Sequence, residues 1–334
     1  VDESIAINGQ KLLLTLAIPS EHQNRPIRHE DVTILDISVS KGFNGDDVRG
    51  RIEEAEKFAG NAPDYIISDN GHNLTKGITG SGHIRHADIS HSMGVILKKV
   101  YEKQSDFVEF TTLLGKKRLQ YHLTDKAYLL PPNMRAISRF MNMSSWVFWG
   151  NEMLDCYDTL PGKMQEAYAF IKDYGSLLKE LQAVLCAVRH VEAICKNEGL
   201  SVMTSRKCKL YVITHVLGNA HSRQARAGIG MLEYFNREEA LLTGNMSINI
   251  SSDIIESTFG IYKSKKSPNK LYGVTSFVLT IPLYPKVSNG SVTKTINFKE
   301  RIVNVKLKDI STWSTEHLSK NWVTERTKTL RKVS

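Results

Sequence analysis

A short loop, Asn8-Gly9, between two β-rich runs constrains the fold of this chain more than any other feature of its sequence. Asn-Gly is the strongest two-residue signal for a tight turn between antiparallel strands. The runs on either side, 1–7 and 11–18, are therefore predicted to form a β-hairpin with Asp2 in its first strand. A third strand is predicted at 31–39, where the β-branched run VTILDISV follows a loop with two prolines.

Helices and strands then alternate. The charged, periodic segment 46–59 predicts a helix, DYIIS at 64–68 predicts a short buried strand before Asp69, and 86–89 predicts a strand followed by a helix at 91–102. Parallel strands need a crossover between them, so the strand that ends at Asp69 is expected beside the first strand. Three antiparallel strands followed by helix-linked strands are the opening order of a ribonuclease H-like fold.

From about residue 100 the sequence becomes helical. Apolar residues recur at three- and four-residue spacing in 106–123, 132–143, 162–197 and 206–235. Gly199 is expected to end one of these helices, and Trp146 and Trp149 are expected to pack in a core.

We therefore predict an α/β protein with a ribonuclease H-like mixed sheet and a large all-helical insertion. The predicted parts are 1–100 as the first part of the catalytic domain, 101–250 as the helical insertion, 251–285 as the completion of the domain, and 286–334 as a basic C-terminal region with β-like runs such as IVNVKL.

The composition favours a polyanionic partner and excludes several classes of protein. The chain has 44 basic and 35 acidic residues, for a net charge of +9, and an excess of this sign attracts nucleic acid. The sequence has no apolar run long enough to span a membrane and no signal segment, so a cytoplasmic location is expected. Four irregularly spaced cysteines indicate neither a zinc ribbon nor a disulfide scaffold.

The segment 251–263 predicts a helix with two different faces. Ile255, Phe259 and Tyr262 recur at core spacing, whereas Glu256, Gly260 and Lys263 fall on another side. Gly260 would let a bulky polymer approach the helix backbone. An alternative interpretation is a capped helix, in which Asp253 is the N-cap, Glu256 completes a capping box and Lys263 is a solvated charge.

Three carboxylates lie where this fold would bring them together: Asp2 on the first strand, Asp69 after the neighbouring strand, and Glu256 on the later helix. Such a cluster is typical of two-metal phosphoryl transfer, in which hard oxygen ligands hold two Mg²⁺ ions, with Mn²⁺ as a substitute. Each has an alternative interpretation. Asp69 could serve a tight turn, Asp2 could be a frayed terminal residue, and Asp36 on the third strand competes as the first ligand.

Other polar residues are candidates for supporting roles. Asp88 and His91 lie after the fifth strand and could act around the site or against DNA, although a structural pair is the alternative. His83 and His86 could join His91 in a metal site or could be solvated. The basic patch after the glutamate helix could contact DNA phosphates or be a solvated face. Its members are Lys263, Lys265, Lys266 and Lys270.

Several blocks of the sequence resemble bacterial insertion-sequence transposases of the DDE type, members of the retroviral integrase and ribonuclease H-like superfamily. The blocks are VDESIAINGQKLL at 1–13, PDYIISDNGHNLTKGI at 63–78, HADISH at 86–91, PPNMRAISRFMN at 131–142 and SSDIIESTFGIYKSK at 251–265. The resemblance implies that Asp2, Asp69 and Glu256 are the catalytic triad and that Lys263 contacts DNA near the cut. The family's usual N-terminal DNA-binding region does not appear ahead of Asp2, so recognition of the element's end sequence stays open.

The expected function is therefore DNA cleavage and strand transfer at transposon ends. The expected partners are double-stranded DNA at the ends and the target, with the protein as a homo-oligomer on DNA at the bacterial nucleoid. Two alternatives stay open at this point: a nuclease or resolvase of the same fold that only hydrolyses, and a non-catalytic DNA-binding remnant.

Overall fold

A computed structural model gives the protein a mixed α/β architecture in which helices predominate over two small sheets. It describes residues 1–3, 10–133, 140, 142–218, 222–266, 273–287, 297–303, 305–319 and 322–333. The chain divides into two compact units. The α/β unit contains Val1–Asp88 and Ile248–Ser334, and the helical unit is Ile89–Ser247, where the sequence predicted an insertion at 101–250.

The first sheet of the α/β unit is antiparallel and has the order β1-β2-β3. Its strands are β1 (Asp2–Glu3), β2 (Lys11–Ala17) and β3 (Thr33–Ser40). Asp2 lies opposite Leu14, which confirms the antiparallel pairing predicted from the sequence. The Asn8-Gly9 turn itself lies outside the described residues.

The second sheet consists of two short parallel strands, β4 (Ile66–Ser68) and β5 (Arg85–Ala87). A hydrogen bond connects it to the first sheet, because the Val1 nitrogen donates to the Ile67 carbonyl at 3.0 Å. The end of β1 therefore lies beside β4, where the sequence predicted it.

The two faces of the first sheet are covered by different helices. Leu13 shares a buried cluster with residues of α1 (Gly45–Ala59), whereas Leu14 shares one with residues of α10 (Asp253–Lys265). Directly opposed residues in an antiparallel pair point to the same face of a sheet. Asp2, opposite Leu14, therefore lies on the face that α10 covers.

The second helix of the chain, α2 (His72–Gly80), was not predicted from the sequence. It packs against α1. Its sequence HNLTKGITG has two glycines and two threonines, which are weak helix formers. Close packing explains the helix, since a Cβ atom at Gly77 would lie 2.6 Å from the Val48 side chain. Tertiary contact has overridden the local preference.

The later part of the α/β unit is helical. After α10 come a 3-10 helix (Ser276–Leu283), α11 (Tyr284–Val287), α12 (Phe298–Val303), α13 (Leu307–His317) and α14 (Trp322–Val333). The β-like interpretation of IVNVKL is therefore wrong, because its first residues end α12 and its last residue begins α13.

The helical unit contains α3 to α9 and short 3-10 segments between them. The helices are α3 (Ile89–Tyr101), α4 (Ser105–Tyr121), α5 (Met143–Asp155), α6 (Gly162–Tyr168), α7 (Gly175–Glu198), α8 (Val202–His215) and α9 (Arg223–Ala240). Gly199 follows α7 with a φ of 73°, which confirms the predicted end of that helix. Trp146 is 1% exposed and its ring lies 5.9 Å from those of Phe107 and Phe110, which confirms its packing role.

Two of the predicted helices are interrupted. The segment 162–197 is broken by a 3-10 helix at Ala169–Tyr174, and 206–235 is divided between α8 and α9. Most of the predicted helix at 132–143 lies outside the described residues. Within the described part of the chain, no helix is long and apolar enough to cross a bilayer.

A charged network joins four helices of the helical unit. Arg223 at the start of α9 donates to both Asp106 oxygens at 2.7 and 2.8 Å, and to both Glu180 oxygens at 3.1 and 3.0 Å. The Tyr101 hydroxyl donates to Glu180 at 2.8 Å. One guanidinium group thereby connects α3, α4, α7 and α9.

Candidate functional site

Helix α10 has the two faces that its sequence predicted. Ile255, Phe259 and Tyr262 are at most 4% exposed, whereas Glu256 and Lys263 are exposed. The predicted Asp253 cap is wrong, because the helix begins after Ser252. Ser252, the N-cap residue, is held by a residue far away in the sequence.

That residue is Asp88, directly after β5. One of its carboxylate oxygens, Oδ2, accepts both the Ser252 backbone N–H at 2.6 Å and the Ser252 hydroxyl at 2.9 Å. The backbone N–H of Asp88 donates to the Ser68 carbonyl at 2.9 Å. Asp88 is completely buried, so it fixes the start of α10 to the end of β4, one residue before Asp69.

Asp69 lies in the turn that follows β4 and is half-buried. Its Oδ1 atom accepts the Gly71 N–H at 2.7 Å, so Asp69 does form the tight turn given as the alternative to a catalytic role. A Cβ atom at Gly71 would lie 2.8 Å from this oxygen. The turn therefore fixes the orientation of the carboxylate, which is compatible with either role.

Arg85 holds the same turn from the neighbouring strand. Its guanidinium donates to the Ser68 hydroxyl at 2.8 Å, to the Asp69 carbonyl and to Asn70 Oδ1 at 3.3 Å. The sequence analysis missed this residue, since a single arginine on a short strand carries no signal of its own. The parallel pairing of β4 and β5 is what places it there.

Asp2 is not a frayed terminal residue. It is 7% exposed, pairs with Leu14, and its Oδ1 accepts the Glu3 N–H at 2.7 Å. Burial lowers the pKa of the Val1 amino group to about 6, and the charges of Asp2 and Asp69 oppose that shift. Both carboxylates therefore lie within electrostatic range of the same nitrogen.

The competing ligand, Asp36, lies on β3 and is separated from β1 by β2. It is half-buried and faces Thr15 across the strand pair, and its Oδ2 accepts the Ser38 hydroxyl at 2.6 Å. Two strand spacings amount to about 10 Å. This separation keeps Asp2 as the better candidate beside Asp69.

The carboxylates fit Mg²⁺ in their chemistry, because hard cations bind carboxylate oxygens. Their grouping is incomplete. Among the described residues, no three His, Cys, Asp or Glu side chains are grouped so that they could hold one metal ion. Asp2 lies in β1 and Asp69 follows the neighbouring strand β4, whereas Glu256 is exposed on α10. The three carboxylates do not enclose an ion as placed.

The histidines considered as ligands make other contacts. The Nε2 atom of His83 contacts the Glu56 carboxylate of α1. His86 is 2% exposed and its ring packs edge-on against Tyr65, with 5.5 Å between centroids. His91 is half-buried in α3, within the helical unit.

The lysines at the end of α10 present a basic surface. Lys263 and Lys265 are exposed, with their Nζ atoms 5.7 Å from the Phe259 ring and 5.2 Å from the Tyr284 ring. Burial, together with the charge of Lys263, lowers the pKa of Lys266. Lys270 lies outside the described residues. The two exposed ammonium groups lie near the buried Phe259 and Tyr284 rings and remain at the surface, where a phosphate could reach them.

A contact that the sequence did not reveal is made by His29, between β2 and β3. Its Nε2 atom lies 3.1 Å from the hydroxyl of Ser257, the residue after Glu256. Burial lowers the pKa of His29. The residues are 228 positions apart in the sequence, so no local pattern could have paired them.

Comparison of the chain with known protein families and with curated proteins gives no match.

Proposed function

We propose that this protein is a DDE-type DNA transposase with a ribonuclease H-like catalytic unit. It cleaves DNA at transposon ends and transfers the strand to target DNA, acting as a homo-oligomer on double-stranded DNA in the bacterial cytoplasm. Asp2, Asp69 and Glu256 form its catalytic triad. The helical unit is an insertion between the Asp69 strand and the Glu256 helix.

The observation that carries this proposal is the double attachment of Asp88. Its backbone bonds to the strand end that leads into Asp69, and its side chain bonds to Ser252, the residue just before the helix that carries Glu256. Asp2 lies on the sheet face that this helix covers. Three carboxylates from distant parts of the sequence are thereby related through one junction of the α/β unit.

The roles of the side chains follow from their positions. Asp2 and Asp69 hold their carboxylates on adjacent strand ends, and Glu256 supplies a third from α10. Lys263 and Lys265 neutralise DNA phosphates, and Gly260 lets the DNA backbone approach the helix. Bound Mg²⁺ would activate the attacking oxygen and stabilise the leaving oxygen, and the three carboxylates are the residues that would hold it.

The test uses DNA that carries the element's own ends, with Mg²⁺ or Mn²⁺ present. Asp69→Asn and Glu256→Gln should each lower cleavage and joining by at least about 10³-fold, as for loss of an essential catalytic group. Asp253→Asn on the same helix is the control for Glu256→Gln, and it should retain activity. Cleavage by the Glu256→Gln protein at the wild-type rate would refute the triad.

A second pair of variants tests the choice of the first carboxylate. Asp2→Asn should abolish cleavage, whereas Asp36→Asn should leave it unchanged, because Asp36 lies two strands away. The opposite result would indicate that Asp36 on β3, and not Asp2, is the first catalytic carboxylate. Products that are cut but never joined would indicate a nuclease that only hydrolyses, and DNA binding without cleavage in any metal would indicate a non-catalytic remnant.

A further inference from the structure

The end of helix α4 and the loop that follows it bring two lysines to one aromatic ring. The Nζ atom of Lys117 lies 5.4 Å from the centre of the Tyr121 ring, and the Nζ atom of Lys126 lies 4.7 Å from it. Lys117 Nζ also lies 6.0 Å from the centre of the Phe170 ring. Both lysines are half-buried and Tyr121 is only 8% exposed. The Tyr121 ring is therefore a fixed base for the two charges.

These two positive charges have no anionic partner. Among the residues that the structure describes, neither Nζ atom makes an ion pair or a hydrogen bond, and the neighbouring Asp125 is exposed. Because both distances are measured from one ring centre, the two ammonium groups are at most about 10 Å apart, or about one Debye length at 0.1 M salt. They therefore repel each other, and an anion bound between them would attract both.

Other lysines of the helical unit have the partner that these two lack. Lys172 also lies against a ring, with its Nζ atom 3.8 Å from the centre of Tyr157, but it is paired with Asp158 at 3.4 Å. Lys207 is paired with Glu198 at 2.5 Å. The pair at the end of α4 therefore differs in its missing carboxylate and not in its aromatic contact.

The loop that carries Lys126 is held against the helices without a ligand. Arg118 of α4 donates to the Pro131 carbonyl at 2.5 Å, and the Nε1–H of Trp149 in α5 donates to the Leu129 carbonyl at 3.3 Å. A binding site whose loop is already ordered loses less conformational entropy when a ligand binds. The two ammonium groups are therefore placed in advance for an anion.

The surroundings favour nucleic acid as the source of that anion. Tyr128, two residues after Lys126, is 68% exposed, and lysine and tyrosine side chains both donate to DNA phosphates. The chain has a net charge of +9, which attracts polyanions. A lipid surface is disfavoured, because the exposed Leu119 points about 160° away from Tyr121 around helix α4.

We propose that Lys117 and Lys126 bind backbone phosphates of double-stranded DNA, with the Tyr128 hydroxyl as an additional donor. This site lies in the helical unit and adds a second DNA contact to that of the lysines on α10. It rests on the proposed function for the identity of its ligand, but it needs neither the catalytic carboxylates nor a metal ion. Binding at this site can therefore be measured without cleavage.

The test measures binding of the full chain to a short fluorescent DNA duplex in EDTA, by anisotropy at several salt concentrations. Lys117→Gln/Lys126→Gln should lower the association constant about tenfold at low salt, and the slope of its logarithm against the logarithm of the salt concentration should become shallower by about 1 to 2. Lys172→Gln/Lys207→Gln is the matched control. It removes the same charge from two paired lysines and should keep the wild-type affinity and slope.

Lys117→Arg/Lys126→Arg keeps both charges and should bind DNA as the wild type does. Equal affinity and slope for the two glutamine double variants would overturn the proposal. It would also be overturned if Lys117→Gln/Lys126→Gln lost binding to phosphatidylserine vesicles but kept its DNA affinity, which would assign the lysines to a lipid surface. Because no metal is present, a loss of DNA affinity would stand even if Glu256→Gln cleaved DNA at the wild-type rate, so the two proposals fail separately.

Discussion

The two units of the molecule use polar side chains for different purposes. In the helical unit, Arg223 connects four helices through Asp106, Glu180 and Tyr101. In the α/β unit, Asp88 connects a strand end to a helix start, and each of these leads directly to a candidate catalytic carboxylate. The first arrangement holds helices together, and the second joins the end of a strand to the start of a helix.

This difference predicts that variants in one unit should affect mainly stability, whereas variants in the other should affect mainly activity. Loss of the helical network should lower the free energy of unfolding without changing the chemistry. Loss of the α/β junction should change the chemistry more than the stability. The following variants are ordered by the size of the expected effect.

The largest effect is expected for Asp88→Asn, which keeps an acceptor oxygen for Ser252 but removes the charge. We expect DNA cleavage to fall about 10- to 100-fold, the usual cost of losing a residue that orients a catalytic ligand. The free energy of unfolding, measured by urea denaturation, should change by about 1 kcal/mol or less. Ser252→Ala, which removes only the hydroxyl, is the milder control. A large loss of stability with normal cleavage would place Asp88 with the structural residues.

Next in size is Arg223→Met in the helical unit. It leaves Asp106 and Glu180 without their shared cation, and for this partly exposed network we expect a loss of about 2 kcal/mol in stability. Cleavage below the unfolding transition should be unchanged. Arg223→Lys retains the charge but not the paired geometry. Its free energy of unfolding should therefore lie between those of the wild type and Arg223→Met.

The pH dependence of that variant follows from Asp106. Burial alone would raise the pKa of this carboxyl, but the hydrogen bond and charge of Arg223 hold it below its ordinary value of 3.8. A lowered folded pKa means that the contribution is present above pH 3.8 and is lost as the pH falls through the folded value. The difference between wild type and Arg223→Met should therefore shrink below about pH 4. A constant difference would contradict this account.

A smaller effect is expected for Gly71→Ala. The new Cβ atom would lie 2.8 Å from Asp69 Oδ1, so the carboxylate must turn away. Cleavage should fall about tenfold, because misplaced catalytic groups lose their alignment. Stability should barely change, since only the end of a side chain moves. Gly42→Ala, which meets no atom within 4 Å, is the matched control. Normal cleavage by Gly71→Ala would contradict a catalytic role for the Asp69 carboxylate.

The smallest effect is expected for alanine substitutions at two helical glycines that have free space around them. A Cβ at Gly260 of α10 or at Gly50 of α1 meets no atom within 4 Å, so alanine at either should stabilise the chain by up to about 1 kcal/mol. Only Gly260→Ala should also weaken DNA binding, by a few-fold in a filter-binding assay. Equal DNA affinity for the two variants would contradict an approach of DNA to α10.

Local pattern predicted those parts of the fold that local physics determines. The core stripe of α10, the three antiparallel strands and the end of α7 at Gly199 all follow from residue spacing and turn chemistry. The errors occur where distant residues decide. The N-cap residue of α10, Ser252, is held by Asp88, 164 positions away. Helix α2 depends on close packing at Gly77 rather than on helix propensity.

The candidate site divides in the same way. The chemical types and chain positions of Asp2 and Asp69 could be predicted, because strand order brings their strands side by side. The contacts that orient them could not, because Arg85 and His29 reach their partners only through the folded sheet. The periodicity of a sequence does not predict side-chain contacts between residues that are far apart in the chain.

The bond between Asp88 and Ser252 can form only some time after Asp88 has been synthesised. At about 5 to 20 residues per second, a ribosome needs roughly 10 to 30 s to travel from one residue to the other. During that interval the first strands can pair, but helix α10 does not exist. A nascent chain therefore carries Asp2 and Asp69 well before Glu256, and under the proposed function an unfinished chain lacks one of its three catalytic carboxylates.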